Sequence, residues 1–127
     1  MLKEGLKYTS RVTVEKGNCA SMVGSGGMDV FATPSMVALM ENAAMNAVAA
    51  ALPEGATTVG TEINVSHIKA SGIGAEISAT ALLVAVDGRK LLFEVEASDG
   101  NGPIGKGTHT RFIVDCERFL SKVYSGE

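Results

Sequence analysis

The sequence has little aromatic content and no excess of positive charge. Its 127 residues include no tryptophan, aromatic residues make up 5%, and the formal net charge is −3. Proteins that bind nucleic acid usually carry a basic surface that neutralises phosphates, and many add aromatic rings on which bases stack. Because both features are missing, we expect no nucleic-acid partner.

Long hydrophobic runs are missing as well, and we expect no export signal. The most apolar stretch, residues 36–52, is interrupted by Glu41, Asn42 and Asn46, so it is not typical of a transmembrane helix. The amino-terminal stretch MLKEGLKYTS contains no apolar core followed by a cleavage site. We therefore expect a cytoplasmic protein that does not associate with a membrane.

Cysteine is scarce, and the bulk composition is that of a globular domain. The two cysteines, Cys19 and Cys116, lie far apart and match no metal-ligand spacing, so we expect two free thiols. Hydrophobic residues make up 46% and charged residues 20%, which excludes a disordered chain. The length predicts a single domain over residues 1–127.

One long helix is predicted in residues 30–50, VFATPSMVALMENAAMNAVAA. Thr33 is a favourable N-cap residue and Pro34 suits the first helical position, while the stop signal lies at Leu52-Pro53-Glu54-Gly55. Apolar residues cover more than half of the helix circumference, so we expect other structure to wrap this helix. These residues are Met36, Val37, Leu39, Met40, Ala43, Ala44, Ala47, Val48 and Ala51.

The sequence pattern predicts mainly strands in the rest of the chain. Residues 8–15 predict a strand, and the glycine-rich residues 17–29 predict a loop or lid with a short strand at Ala20–Val23. After the helix, alternating apolar runs separated by Gly-containing turns predict an antiparallel meander of four strands, followed by an amphipathic helical tail at residues 115–124. The four predicted strands cover residues 58–70, 75–86, 89–98 and 103–114.

These elements predict an α+β fold in which a curved antiparallel β-sheet wraps one long central helix, the hotdog arrangement. A single sheet of five or six strands leaves part of the helix uncovered. Because a second copy would cover the remainder, we expect a homodimer or a dimer of dimers.

Glu41 is an acidic residue among apolar neighbours of the predicted helix. Burying a carboxylate costs several kcal/mol unless the group is paired or protonated, so its presence needs a reason. A carboxylate in an apolar pocket suits a general base or a nucleophile. The alternative is a solvated charge at the place where the helix meets water.

Thr33 allows two interpretations. Its hydroxyl can cap the helix, or it can act with the N–H groups of the helix N-terminus on a carbonyl oxygen that becomes an oxyanion. Eight residues separate Thr33 from Glu41, which is about 12 Å along one helix, so one small group cannot easily touch both. We therefore expect a composite site at a subunit interface, where antiparallel helices bring Thr33 of one copy near Glu41 of the other.

Two histidines and several basic residues are further candidates. Strand alternation places His67 on one face with Ile63 and Val65, where it is either a core histidine or a residue that orients a carboxylate or moves a proton. For His109 a structural role is favoured. Five basic residues could contact the phosphates of a nucleotide-like carrier, although a solvated surface charge is the simpler interpretation: Lys69, Arg89, Lys90, Lys106 and Arg111.

Three stretches, VFATPSMVALMENAA, GTEINVSHIKA and DGNGPIGKGTHTRFIV, together resemble the fluoroacetyl-CoA thioesterase branch of the hotdog-fold acyl-CoA thioesterases. The resemblance extends over roughly residues 5–123. It implies hydrolysis of an acyl-CoA thioester, with no metal and no cofactor other than the coenzyme A of the substrate.

The same resemblance implies the site residues. Thr33, Glu41 and His67 would form the catalytic set, and either Thr33 or Glu41 would be the nucleophile. Gly60 would lie beside the substrate. Pro34 and Arg111 complete the predicted substrate-binding residues.

The predicted lid departs from the family pattern. The fluoroacetyl-specific enzyme has a longer, aromatic lid, whereas here Gly27 lies near the position of a gating aromatic residue. We therefore expect a short or medium acyl group that is not necessarily fluoroacetyl. The alternatives are a hotdog hydratase or dehydratase, in which Glu41 and His67 would hold one water, and a non-catalytic acyl-CoA-binding module.

Overall fold

The computed structural model describes residues 1–125. The strands are β1 (Lys7–Thr13), β2 (Ala56–His67), β3 (Glu76–Asp87), β4 (Lys90–Ser98) and β5 (Pro103–Asp115). The helices are α1 (Ala20–Val23), α2 (Thr33–Ala49) and α3 (Cys116–Ser125), and a 3-10 turn spans Lys16–Asn18.

The central helix α2 begins one residue earlier than its sequence signals suggest. Ala32 is the N-cap residue, with extended backbone at φ −74° and ψ 143°, so Thr33 is already helical. The prediction that Thr33 is the N-cap is therefore wrong, and Pro34 follows it in the first turn, where a missing N–H leaves no bond unmade. Among the described residues no side-chain hydrogen bond caps this end, which leaves the Thr33 hydroxyl available for another partner.

The sheet has the strand order β1-β3-β4-β5-β2, and every neighbouring pair is antiparallel. The predicted four-strand meander is wrong in one pairing, because β2 pairs with β5 and not with β3. Strands β3, β4 and β5 follow one another as hairpins. Strand alternation predicts where strands lie but not which strands pair, so the crossover after β2 could not be predicted from it.

The lid segment is partly helical, and the carboxyl-terminal prediction is confirmed. Ala20–Val23 forms one turn of helix, not the predicted short strand, and Gly24 ends it in the left-handed region at φ 94°. The amphipathic tail predicted at residues 115–124 is α3.

Helix α2 packs across the concave face of the sheet. Alternate residues of β3 and β4 point inward and are buried, as the period of two requires. At Gly105 of β5 a Cβ would lie 2.6 Å from the sulfur of Met36, so only glycine allows the helix to approach this closely. The buried helix residues are Met36, Met40, Ala43, Ala44 and Val48, and they meet Ile77, Ala79, Ala81, Leu83, Leu91, Phe93, Val95 and Ala97.

One sheet does not enclose the whole apolar surface of α2. Three helix residues of the predicted apolar stripe are only partly buried, as is Ala51 just beyond the helix end: Val37, Leu39 and Ala47. The outer edge of β2 pairs with no other strand within residues 1–125. The chain therefore leaves both an apolar helix surface and a strand edge open.

Both cysteines are free, as predicted, with Cys19 buried and Cys116 partly buried. No helix within the described range is long and apolar enough to cross a membrane.

Candidate active site

Thr33 and His67 meet where the start of α2 lies beside the end of β2. The Thr33 Oγ1 and His67 Nδ1 atoms are 2.8 Å apart, which is a hydrogen bond. The main chain around Ala32 starts the helix without this hydroxyl. The contact therefore favours the chemical interpretation of Thr33 over the capping one.

Partial burial keeps the His67 imidazole in its neutral form, which can accept a proton. It lowers the pKa of His67 below its ordinary value of 6.5, with a smaller opposing effect from the Lys69 main chain. The imidazole is therefore neutral at pH 7, and a neutral Nδ1 can accept the Thr33 hydroxyl proton. The second ring nitrogen, Nε2, is buried and has no hydrogen-bond partner in the part of the chain that the structure describes.

A cavity of about 230 Å³ lies beside this pair. Its walls come from the lid, from the residues leading into α2 and from the end of β2. Two larger clefts, each of about 630 Å³, lie between β1 and α2 and on the outer face of the sheet, and no predicted catalytic residue lines either of them. The smaller cavity is the one that adjoins reactive groups.

Glu41 lies in a second cluster, two turns further along α2. Its Oε1 is 3.5 Å from Nη1 of Arg111, and its side chain is 40% exposed in the single chain. The carboxylate is thus more open than its apolar sequence neighbours suggest. It is paired with a cation, which is one way of making a carboxylate tolerable on an apolar helix.

Arg111 is buried on the inner face of β5, with a side chain only 7% exposed. Its Nε donates to Thr58 Oγ1 at 2.7 Å and its Nη2 donates to the Thr58 carbonyl at 2.8 Å. Burial lowers the pKa of Arg111, and the charge of Glu41 opposes this. The interpretation of Arg111 as a surface cation is therefore wrong, because the strand turns this side chain inward; the other four basic candidates are exposed.

His109 joins the same cluster, although the sequence favoured a structural role. Its Nδ1 is 2.8 Å from the Glu62 carbonyl oxygen and its Nε2 is 3.2 Å from Arg111 Nη1. The useful signal was its spacing of two from Arg111, which puts both side chains on one strand face. Its contacts with β2 are 47 residues distant in sequence and could not be predicted locally.

Gly60 gives the Glu41 carboxylate room. A Cβ at Gly60 would lie 2.7 Å from Glu41 Oε1 and 3.0 Å from His109 Cε1. The predicted substrate-side glycine therefore lies against the Glu41 cluster. Pro34 is exposed in the first turn of α2, next to Thr33.

The predicted catalytic residues thus fall into two groups within one chain. Thr33 and His67 form one pair, and Glu41 with Arg111 forms the other. Across the described residues no hydrogen bond joins the two groups. The distance of about 12 Å expected from the helical rise is consistent with this separation.

Comparisons with known proteins identify relatives over most of the chain. The family model for FlK, fluoroacetyl-CoA-specific thioesterase, matches residues 14–117. The fluoroacetyl-CoA thioesterase of Streptantibioticus cattleyicolor is 44% identical over 95 residues, which are 75% of this chain and 68% of that protein.

Solved structures are also similar to this chain over nearly its whole length. A structure of FlK gives a TM-score of 0.92 at 34% identity, covering 100% of this chain and 98% of that one. A mutant of FlK in complex with fluoroacetate and CoA gives a TM-score of 0.87 at 35% identity, covering 93% and 99%. A hot-dog-like protein from Thermanaerovibrio acidaminovorans, 20% identical, gives a TM-score of 0.86 over 96% and 90% of the two chains and supports the fold alone.

Proposed function

The chain belongs to the fluoroacetyl-CoA-specific thioesterase family and is a hotdog-fold hydrolase of acyl-CoA thioesters, and on this premise we propose that its active site is shared between two copies. Family membership favours hydrolysis over the hydratase and the binding module considered from sequence. The proposal assigns Thr33 and His67 to one subunit and Glu41 to its partner.

Three features of the single chain support a shared site. The edge of β2 is open within the described residues, and part of the apolar surface of α2 is uncovered. The reactive groups are divided into two clusters along one helix. Antiparallel pairing of two β2 edges about a two-fold axis would address all three features, because it runs the two α2 helices in opposite directions.

We propose Thr33 as the nucleophile, and its 2.8 Å hydrogen bond to His67 is the observation that carries this assignment. Thr33 Oγ1 attacks the thioester carbonyl carbon while its proton passes to His67 Nδ1. The positive end of α2 stabilises the oxyanion. The C–S bond breaks, the CoA sulfur takes the proton from His67, and the acyl group remains as an ester on Thr33.

Glu41 acts in the second step. A water attacks the ester carbonyl and gives one proton to the partner subunit's Glu41. The bond to Thr33 breaks, and that proton returns to the threonine oxygen by way of His67. The free acid leaves, and Arg111 keeps the Glu41 carboxylate in place through their ion pair.

Rapid mixing of acyl-CoA with Glu41→Gln tests this order of steps. We expect a burst of about one thiol per site, then a stall, with an intact-mass increase of one acyl group located on Thr33. The control Thr33→Ala/Glu41→Gln should give neither the burst nor the added mass. A Glu41→Gln protein without any burst would mean that Glu41 itself attacks or activates water in the first step.

We also propose that the acyl group is short or medium in length and not restricted to fluoroacetyl. The cavity beside Thr33 and His67 is bordered by small residues such as Ala20 and Ala70. Gly27 leaves open space in the lid, since a Cβ there would meet no atom within 4 Å. A panel of acyl-CoA thioesters from acetyl to decanoyl, with fluoroacetyl included, would establish the preference.

A further inference from the structure

His109 is a buried titratable group that the proposed reaction does not use directly. Its side chain packs against Phe93, with ring centroids 6.3 Å apart, and the residue is 2% exposed. The charged groups that face it are Arg111 on its own strand and Glu41 on α2. A histidine in this position either fills the core or performs a task through its two nitrogens.

Its hydrogen bonds fix the position of the ring proton. The Glu62 carbonyl oxygen can only accept, so Nδ1 carries the proton and donates it over 2.8 Å. The Arg111 guanidinium can only donate, so Nε2 must hold its lone pair toward Nη1 at 3.2 Å. Both partners therefore require the same neutral form, with hydrogen on Nδ1.

The electrostatics favour the same form. Burial lowers the pKa of His109, and the charge of Arg111 lowers it further, while the Glu62 carbonyl and Glu41 oppose these effects. Protonation would place an N–H on Nε2 that faces the guanidinium. Arg111 Nη1 would then lose the lone pair that accepts its hydrogen on that side. The imidazole thus remains an acceptor at neutral pH.

The contact with His109 decides where Arg111 points. Thr58 holds Nε and Nη2 from one side of the guanidinium. His109 holds Nη1, the same nitrogen that lies 3.5 Å from Glu41 Oε1. A planar guanidinium fixed at three nitrogens cannot rotate, so its remaining Nη1 hydrogen stays directed at the carboxylate.

We propose that His109 is a positioning residue for hydrolysis, which holds the Arg111 guanidinium in the orientation that places Glu41. This proposal rests on the assignment of Glu41 to the second step. His109 touches neither the acyl group nor the attacking water; it acts through Arg111.

Two amide variants separate the tasks of the two ring nitrogens. Asparagine at 109 places an amide N–H near Nδ1, which preserves the bond to Glu62 but offers Arg111 no acceptor. Glutamine places an amide oxygen near Nε2, which restores that acceptor. We expect His109→Asn to lower kcat about tenfold or more with little change in KM, and His109→Gln to remain within about threefold of the wild-type kcat.

A double-mutant cycle distinguishes positioning from general destabilisation. Arg111→Lys keeps the charge but lacks the planar fork that His109 orients. In that background His109→Asn should change kcat less than about twofold, because its effect passes through the guanidinium. Equal rates for His109→Asn and His109→Gln, or an undiminished loss in the Arg111→Lys background, would overturn the proposal.

Measurements on the unmodified protein keep the test independent of how the variants fold. Nitrogen-15 NMR of the histidine rings at pH 7 should show the neutral tautomer of His109 with hydrogen on Nδ1; a protonated ring or hydrogen on Nε2 would contradict the proposal.

Glu41→Gln is assayed beside the His109 variants, so that a failure of the Glu41 assignment can be told apart from a failure of the His109 proposal. If it retains full hydrolysis, the assignment of Glu41 fails, whereas an inactive Glu41→Gln with indistinguishable Asn and Gln variants refutes only the role of His109.

Discussion

At the scale of single residues, Thr33 shows how a one-residue shift changes an interpretation. The sequence suggested that Thr33 is an N-cap, but the helix begins at Thr33, and the Thr33 hydroxyl is hydrogen-bonded to His67. A capping hydroxyl stabilises a helix by about 1 kcal/mol, whereas a nucleophile contributes to the rate and not to folding. The two roles therefore predict different results for the same substitution.

Removing the Thr33 hydroxyl should abolish most activity and leave stability nearly unchanged. We expect Thr33→Ala to lower kcat about a hundredfold or more, with less than about 0.5 kcal/mol lost in the free energy of unfolding, because the hydrogen bond to His67 is exposed and water can take the place of the hydroxyl. Thr33→Ser retains a hydroxyl and should keep measurable turnover. Stopped-flow thiol release and urea denaturation measure both quantities, and a stability loss near that of a lost cap with full activity would contradict the assignment.

A methyl group at Gly60 should displace the Glu41 carboxylate. In Gly60→Ala the new Cβ would lie 2.7 Å from Oε1, which ends a flexible and partly exposed side chain that can move away. We expect kcat to fall about tenfold or more while the protein stays folded. Gly17→Ala is the matched control, because a Cβ there meets no atom within 4 Å. Wild-type turnover in Gly60→Ala would argue against a fixed carboxylate at this site.

The two histidines, of which His67 is partly buried and His109 buried, should make stability fall in mild acid. Burial lowers the pKa values of His67 and His109, so below their ordinary value of 6.5 the unfolded chain binds more protons than the folded one. The free energy of unfolding should thus be constant above about pH 7 and decrease as the pH falls from about 6.5 toward the lowered pKa values. Denaturation at several pH values measures this, and His109→Gln should reduce the slope; stability that rises in this range would show the opposite sign of shift.

At the scale of elements, the sequence predicted almost every helix and strand. Most helix and strand boundaries follow approximately from local signals, namely strand alternation, Gly-containing turns and the Leu52-Pro53-Glu54-Gly55 stop. What could not be predicted depends on contacts between distant segments. The pairing of β2 with β5 and the hydrogen bonds of His109 and Arg111 to β2 are of this kind.

The sequence leads us to expect that the lid is where this chain differs from the family pattern. Gly27 has open space around it and no left-handed backbone, so a larger side chain fits there. We expect Gly27→Phe to narrow access to the cavity beside Thr33 and His67 and to lower kcat/KM for octanoyl-CoA about tenfold relative to acetyl-CoA. A chain-length profile measures the ratio. An unchanged profile would mean that the lid does not limit the length of the acyl group.

At the scale of the whole molecule, one chain carries all the predicted catalytic residues but keeps them in two groups. The open edge of β2 and the uncovered side of α2 supply a surface on which a second copy would complete both groups. A two-fold axis makes the contact reciprocal, so one dimer would have two equivalent sites.

Co-expression of Thr33→Ala and Glu41→Gln chains, each inactive in multiple turnover as a homodimer, tests the shared site most directly. With random pairing, half of the dimers are mixed, and each mixed dimer has one of its two sites fully intact. We predict steady-state activity of about a quarter of wild type. Activity no greater than that of the parent homodimers, in a sample shown to contain mixed dimers, would contradict a site that combines Thr33 of one subunit with Glu41 of the other.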